Sequence, residues 1–529
     1  MKTQLNSVLR ASVVVFVFLV AAKLLNFFKK ILIGNLFGVS WVADAFFAAS
    51  FLPYYLAIFF EGVLFLGFLP LFSQMMAEKG REEANQFLSE ILILVLFLTL
   101  FLAGLGIFLA PWVIRELVPG FNASEQELTR SLFQILSLVL VFISLTSFFK
   151  ALNSYFEHYA WAASSALMDS LVMIAVTLIA WKTWGIYGAA WGAVAGVLTA
   201  LVLQAIFLIR KHAVFPRRFK FRNREVLQLF YFLIPMGIIW AFQQIPLVIL
   251  NRFGSGMWEG TISSLTIAQT LTTVPMGLVN HTVLFAIFPS LAKQANENGP
   301  GNLKETFFQT LRGGFLILIP VGFFLTALAR PLTAIFFAGG GIVEEGTKRI
   351  ANSLTCFGWA TFALYADLFM TQSLIAIRRP LPAVCLCGSR AILTYLLGYF
   401  LSTIWDYQGL ALSFSIALAI NFFLLFPPFF RFSPFKDQWK ELFLYVGKLV
   451  LSSSPIFFLG WVLSHWSIAQ WINLPKVILL MGVVLGALSG AAVYLFLLFR
   501  LKVAELHSVW RELRGAWMRG NWWLVGQSE

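Results

Sequence analysis

The chain has 529 residues, of which 60% are hydrophobic and 12% charged, with a formal net charge of +14. Soluble globular proteins are about 45–50% apolar and about 25% charged, and a water-covered surface at this size needs more charge than is available here. A soluble enzyme, a disordered scaffold and a secreted disulfide protein are excluded, and the positive balance is read through the positive-inside rule rather than as a nucleic-acid footprint.

A membrane-spanning helix needs about 20 apolar residues, so with short connections the length admits about fourteen. The apolar segments are continuous runs and not the alternations of about ten residues that build a membrane β-barrel. The expectation is therefore an all-α polytopic membrane protein. In chain order the spans fall at 11–37, 42–74, 87–113, 130–154, 160–182, 184–209 and 225–252, then 261–291, 305–329, 347–376, 381–404, 407–430, 441–464 and 475–499. The first follows Lys2 and Arg10 but lacks a small-residue cleavage site, and its apolar run resumes after Lys23, so it reads as a retained helix and not a signal peptide.

Basic residues sort onto alternate connections. Lys79 and Arg81 follow span 2, and Arg210, Lys211, Arg217, Arg218, Lys220, Arg222 and Arg224 crowd the link between spans 6 and 7. Arg378 and Arg379 follow span 10, and Arg431, Lys436 and Lys440 follow span 12. The link after span 3 carries Glu116, Glu125 and Glu127 instead. Both termini are accordingly expected in the cytoplasm.

A weak internal repeat starts after the basic link. Leu36-Phe37-Gly38, Ala43-Asp44-Ala45-Phe46-Phe47 and Leu52-Pro53 are echoed by Arg252-Phe253-Gly254, Ile267-Ala268-Gln269-Thr270-Leu271 and Val274-Pro275. Two six-helix halves are a transporter architecture. The expected organisation is an N-lobe over 1–212, a basic cytoplasmic linker over 213–224 and a C-lobe over 225–431. A final helix pair over 432–500 and a basic, tryptophan-rich interfacial tail over 501–529 follow.

Local enzyme signatures are missing from the sequence. The five aspartates are far apart, the five histidines have no metal-ligand spacing, and no phosphate-binding glycine loop occurs. Cys356, Cys385 and Cys387 sit in apolar runs and read as small buried hydrophobes. No catalytic residue, metal site or cofactor is expected.

The first span is the unusual one. Lys23, Asn26, Lys29 and Lys30 interrupt it, and at 1.5 Å per residue Lys23 lies about 20 Å, and Lys29 and Lys30 about 30 Å, from its cytoplasmic end. Lys23, Asn26 and Lys30 share one stripe at i, i+3 and i+7. A charge facing hydrocarbon costs at least about 2.5–3.5 kcal/mol on insertion scales. Snorkelling to the interface is one reading for Lys29 and Lys30; the other is a cationic stripe lining a water-filled cavity that receives an anion. Asp44, at the start of span 2, is either an acidic first-turn residue or a partner of those lysines. Asp367 and Arg390 are read as an ion pair inside the second half, and Lys150 and Asp169 are further intramembrane charges.

The order and spacing of these elements carry a resemblance. Lys23-Leu24-Leu25-Asn26-Phe27-Phe28-Lys29, Gly34-Asn35-Leu36-Phe37-Gly38, Ala43-Asp44-Ala45-Phe46-Phe47, Glu61-Gly62 and Phe68-Leu69-Pro70 resemble the MurJ/MviN family of lipid II flippases. That family belongs to the multidrug/oligosaccharidyl-lipid/polysaccharide exporter superfamily. The likeness resumes at Val274-Pro275-Met276-Gly277, Phe288-Pro289-Ser290-Leu291, Pro331-Leu332-Thr333, Arg379-Pro380 and Gly409-Leu410-Ala411.

The resemblance implies fourteen helices, two six-helix lobes around a central cavity and a last helix pair forming a lipid-tail groove. It also implies alternating access that carries undecaprenyl-pyrophosphate-linked peptidoglycan precursor from the cytoplasmic to the periplasmic leaflet of a bacterial inner membrane. The expected partners are that lipid-linked glycan, membrane lipids and the cell-wall synthesis machinery, with the chain working as a monomer and without nucleic acid.

By the same resemblance the two family arginines of span 1 fall on Lys23 and Lys29, and an acidic position on Asp44. The acid after the second arginine is Lys30 here, a basic position of span 2 is Ala57, and the arginine of span 8 is Thr270, preceded by Gln269 where an acid often stands. Lysine binds phosphate as a point charge without the arginine fork. Lys23, Asn26, Lys29, Lys30 and Asp44 are thus the candidate substrate-binding residues, with the cation set rearranged. Two alternatives stay open: a flippase for another polyprenyl-pyrophosphate glycan, such as an exopolysaccharide or O-antigen unit, and a multi-spanning polyprenyl-dependent glycosyltransferase.

Overall fold

The computed structural model of the chain describes residues 2–212, 224–286, 300–337, 344–376, 380–431, 438–464, 471 and 474–501. Among them no strand occurs. The first helices are α1 (Lys2–Phe37), α2 (Trp41–Val63), a π-helical turn (Leu64–Phe68), α3 (Leu69–Glu78), α4 (Arg81–Leu117) and α5 (Ala123–Tyr155). Next come α6 (Tyr159–Trp184), α7 (Ile186–His212), α8 (Arg224–Gly254), α9 (Thr261–Ala286) and α10 (Pro300–Ala327). The rest are α11 (Ala329–Phe337), α12 (Glu344–Gly358), α13 (Thr361–Ala376), α14 (Pro380–Arg431), α15 (Gln438–Ser464) and α16 (Lys476–Arg500). Among the described residues ten helices are long and apolar enough to cross a membrane, so the all-α polytopic class holds. The expected basic linker and interfacial tail lie outside the described residues, apart from Arg224 and Leu501.

Local chemistry explains where the helices start and break. The Ser40 hydroxyl accepts from Ala43 N to cap α2, and Asn122 and Glu125 form a reciprocal capping box at α5. Gly185, at φ 56°, ends α6 in a conformation that glycine adopts without a Cβ penalty. The single helix expected over 42–74 is interrupted by the π turn at Leu64–Phe68. The ladder widens there, with Leu69 N donating to Leu64 O five residues back, next to Pro70, which has no N–H to give.

The helix expected over 347–376 is also two, broken between Gly358 and Thr361, where the Thr361 hydroxyl donates to Gly358 O at 2.6 Å. Spans 11 and 12 run together as α14, but Trp405 and Asp406 are non-helical, with Asp406 at φ 51°. That break falls where the sequence placed a turn.

Packing divides the chain into two compact units. The first holds Met1–Thr270, Gly339–Arg349 and Cys387–Ser413. Its core includes Phe68, Phe72, Phe87 and Phe148, with ring centroids 5.2 Å apart for Phe68–Phe148 and 5.8 Å for Phe68–Phe87. Small residues let α6 and α7 approach closely, as is common between membrane helices. A Cβ on Gly192 would sit 3.0 Å from Met173 O, and one on Gly196 only 2.4 Å from Asp169 O.

The second unit holds Leu271–Ala338, Ile350–Leu386 and Phe414–Glu529. Phe315, Tyr365 and Phe422 pack at its centre, and the Tyr365 hydroxyl donates to Thr310 O at 3.1 Å. Gly314 lies directly beneath the Tyr365 ring, where any side chain would collide. Tyrosine hydroxyls from α15 and α16 dock on α10: Tyr445 on Arg312 O at 3.1 Å and Tyr494 on Leu316 O at 2.8 Å. Cys356, Cys385 and Cys387 are free thiols, the first and last buried and Cys385 exposed.

Candidate substrate site

A cavity of about 270 Å³ opens within the first unit. Asn26, Lys29 and Lys30 of α1 form one wall, and Ser50, Tyr54 and Tyr55 of α2 a second. Leu247, Leu250 and Asn251 of α8, Thr266 and Gln269 of α9, and Met173 of α6 also line it, with further apolar side chains of α1, α2 and α9. Phe51 packs on Tyr55 with centroids 4.7 Å apart, and Trp240 lies beside Tyr55 and Phe59. The cavity is therefore lined by aromatic, aliphatic and amide side chains, and among the described residues its cations come from α1.

The two adjacent lysines have different partners. Lys29 is 7% exposed and its Nζ lies 2.8 Å from Asp169 Oδ2 on α6. Lys30 Nζ donates to Thr270 Oγ1 on α9 at 2.7 Å, while that hydroxyl donates to Thr266 O. An ammonium has three donors, and Thr270 takes one of them. By the family resemblance Thr270 stands where an arginine is usual, so in this chain a cation reaches the same place from α1.

Lys23 is half-buried and is not among the residues lining this cavity. Seven residues before Lys30, it is about 10 Å away along the helix axis, within the electrostatic reach of Glu61 and Lys150. Those two pair with each other, Lys150 Nζ to Glu61 Oε1 at 2.5 Å, and Lys150 also sits 5.7 Å from the centroid of the Phe65 ring. Of the expected stripe, Asn26 and Lys30 line this cavity, and Lys29 joins them from beside it.

Asp44 stands in the first turn of α2, as the first of its two sequence readings has it, and its carboxylate also reaches a second helix. It is 2% exposed, and it accepts from Gly260 N at 2.9 Å and Ser263 N at 2.6 Å, so both oxygens cap the N-terminus of α9. Glu259 returns the contact, accepting from Trp41 N at the start of α2 at 3.1 Å. Gly260 is at φ 86° and a Cβ there would meet Val39 at 2.4 Å, so glycine is required on both grounds. Asp44 is not among the residues that line the cavity.

Asp367 and Arg390 belong to different units. In the second unit Asp367 Oδ1 accepts from Asn421 Nδ2 at 2.8 Å, and in the first Arg390 donates to Gln243 O at 2.9 Å. The residue the sequence did not assign to the site is Asp169. Its only sequence signal is its charge inside an apolar helix, because its lysine partner is 140 positions away.

Comparison with known proteins adds a family. The family model described as lipid II flippase MurJ matches residues 33–482. A probable lipid II flippase MurJ of Buchnera aphidicola (subspecies Schizaphis graminum) is 28% identical over 515 residues, covering 95% of this chain and 98% of the relative. The lipid II flippase MurJ of Burkholderia cenocepacia is 23% identical over 427 residues, covering 79% of this chain and 83% of the relative.

Among solved structures, the inward closed conformation of lipid II flippase MurJ superposes with a TM-score of 0.73 at 22% identity, covering 91% of this chain and 97% of that one. An inward-facing multidrug resistance transporter of the MATE family superposes with a TM-score of 0.67 at 16% identity, covering 77% of this chain and 93% of that one. Those two likenesses concern the fold. The family match spans most of the sequence, and the chain belongs to the lipid II flippase MurJ family.

Proposed function

We propose that this chain carries lipid II, the undecaprenyl-pyrophosphate-linked peptidoglycan precursor, from the cytoplasmic to the periplasmic leaflet by alternating access. The observation that carries the reading is the pair Lys29 and Lys30, placed by α1 on the wall of a cavity. Cations among apolar helices are costly unless they face water or an anion, and a diphosphate supplies compact negative charge for two ammonium groups. Asn26 adds an amide to the same wall, and Lys23 is the inner part of the same cationic path. Asp44 supports the site from outside by fixing the start of α9.

Several finer points belong to this reading. The chain lies in the bacterial inner membrane with both termini in the cytoplasm and works as a monomeric transporter, not a catalyst. Its two six-helix halves form the lobes, α15 and α16 hold the lipid tail, and the released precursor feeds the cell-wall synthesis machinery. A second reading is a flippase for another polyprenyl-pyrophosphate glycan, favoured by Lys29 and Thr270 standing where the family has arginine. The two readings separate by complementation. Lipid II transport requires that the chain restore growth of a bacterium depleted of its own lipid II flippase. Restoration of O-antigen or exopolysaccharide export alone would favour the second.

A further inference from the structure

Lys29 meets its partner under unusual conditions. Asp169 comes from α6, whose backbone packs against Gly196 of α7: a Cβ there would lie 2.4 Å from Asp169 O and 2.9 Å from Asp169 Oδ1. Oδ2 bonds Lys29 at 2.8 Å, whereas Oδ1 is buried with no hydrogen-bond partner among the described residues. Asp44 offers the contrast, since both of its oxygens accept backbone N–H groups. A carboxylate kept purely for architecture has its lone pairs filled. Asp169 is half-filled, and its one partner is a cavity-lining lysine.

We propose that Asp169 is the resident counter-ion of Lys29, displaced by the substrate's diphosphate on binding and reclaiming the lysine on release. The proposal rests on the diphosphate reading above. In the empty cavity Lys29 and Lys30 contribute two positive charges and Asp169 one negative. Asp169 neutralises a lysine that would otherwise carry an unpaired charge among apolar helices. When a phosphate oxygen reaches Lys29, two anions compete for one ammonium, and their mutual repulsion drives the carboxylate off.

Exchange of one anion for another makes the net binding energy a difference and not a sum. A transport site has to bind firmly enough to load and loosely enough to empty, and an internal anion adjacent to the cation lowers the affinity without removing the charge that selects the cargo. Asp169 is in this account a positioning residue.

The test is diphosphate binding by the full-length chain in detergent, with farnesyl diphosphate as the probe. Asp169→Asn is expected to tighten binding about 3- to 10-fold through loss of the competing charge, while Asp169→Glu stays at the wild-type affinity. Lys29→Gln weakens binding, and Lys29→Gln combined with Asp169→Asn binds more tightly than Lys29→Gln alone. The double variant leaves no lone lysine, so it decides the matter if Asp169→Asn does not accumulate. Unchanged or weaker binding on removal of Asp169, in a protein of normal abundance and melting temperature, overturns the exchange while leaving the diphosphate site standing. A wild-type chain that does not bind the probe overturns both.

Discussion

Lys30 Nζ lies 2.7 Å from Thr270 Oγ1, so α1 places an ammonium on the face of α9 where the family resemblance puts an arginine. We propose that the charge keeps its place while coming from a different helix. If position matters more than origin, Lys30→Ala should weaken diphosphate binding about 10- to 100-fold, the range for a charged hydrogen bond of about 1.5–3 kcal/mol. Adding Thr270→Lys or Thr270→Arg to Lys30→Ala should recover most of it. Recovery of less than a tenth of the loss, at normal abundance, would mean that Lys30 acts through something other than its charge at that place.

Asp44 is expected to matter for stability and not for substrate affinity. It fills two amides at the start of α9, and losing an N-terminal cap of this kind costs about 0.5–2 kcal/mol. Asp44→Ala should lower the melting temperature, with Asp44→Asn intermediate because its amide oxygen still accepts. Diphosphate affinity measured below the melting transition should stay within about 2-fold, a free-energy change under about 0.5 kcal/mol. A large loss of affinity with an unchanged melting temperature would return Asp44 to the substrate site.

Much of this architecture is legible in the residues because membrane spans are set by composition over long windows. The α14 break at Asp406 and the capping of α5 by Asn122 are visible as short polar interruptions between apolar runs. The π turn is not, since Pro70 looks tolerable at the end of a helix until the ladder is drawn. The lysines of α1 stand out for the same energetic reason that makes them costly. Their partners stay hidden: Asp169 and Thr270 come from 140 and 240 positions away, and helical periodicity says nothing about which neighbouring helix a face will meet. Periodicity also favoured the stripe through Lys23, whereas packing put Lys29 on the cavity.

Orientation has its own test. With both termini in the cytoplasm, a cysteine placed at Arg217 should resist labelling from outside, and one at the exposed Asn122 should react. Labelling of position 217 from the periplasm would invert the topology.

The claim that a lysine pair on α1 binds the diphosphate of a translocated lipid is tested most directly in a flippase-depleted bacterium. The readout is lipid II accessible on the outer face, measured alongside the abundance of this chain. The wild-type chain should restore it, Lys29→Arg combined with Lys30→Arg should retain most of it, and Lys29→Ala combined with Lys30→Ala should abolish it at equal abundance. Full restoration by the double-alanine chain would contradict the account.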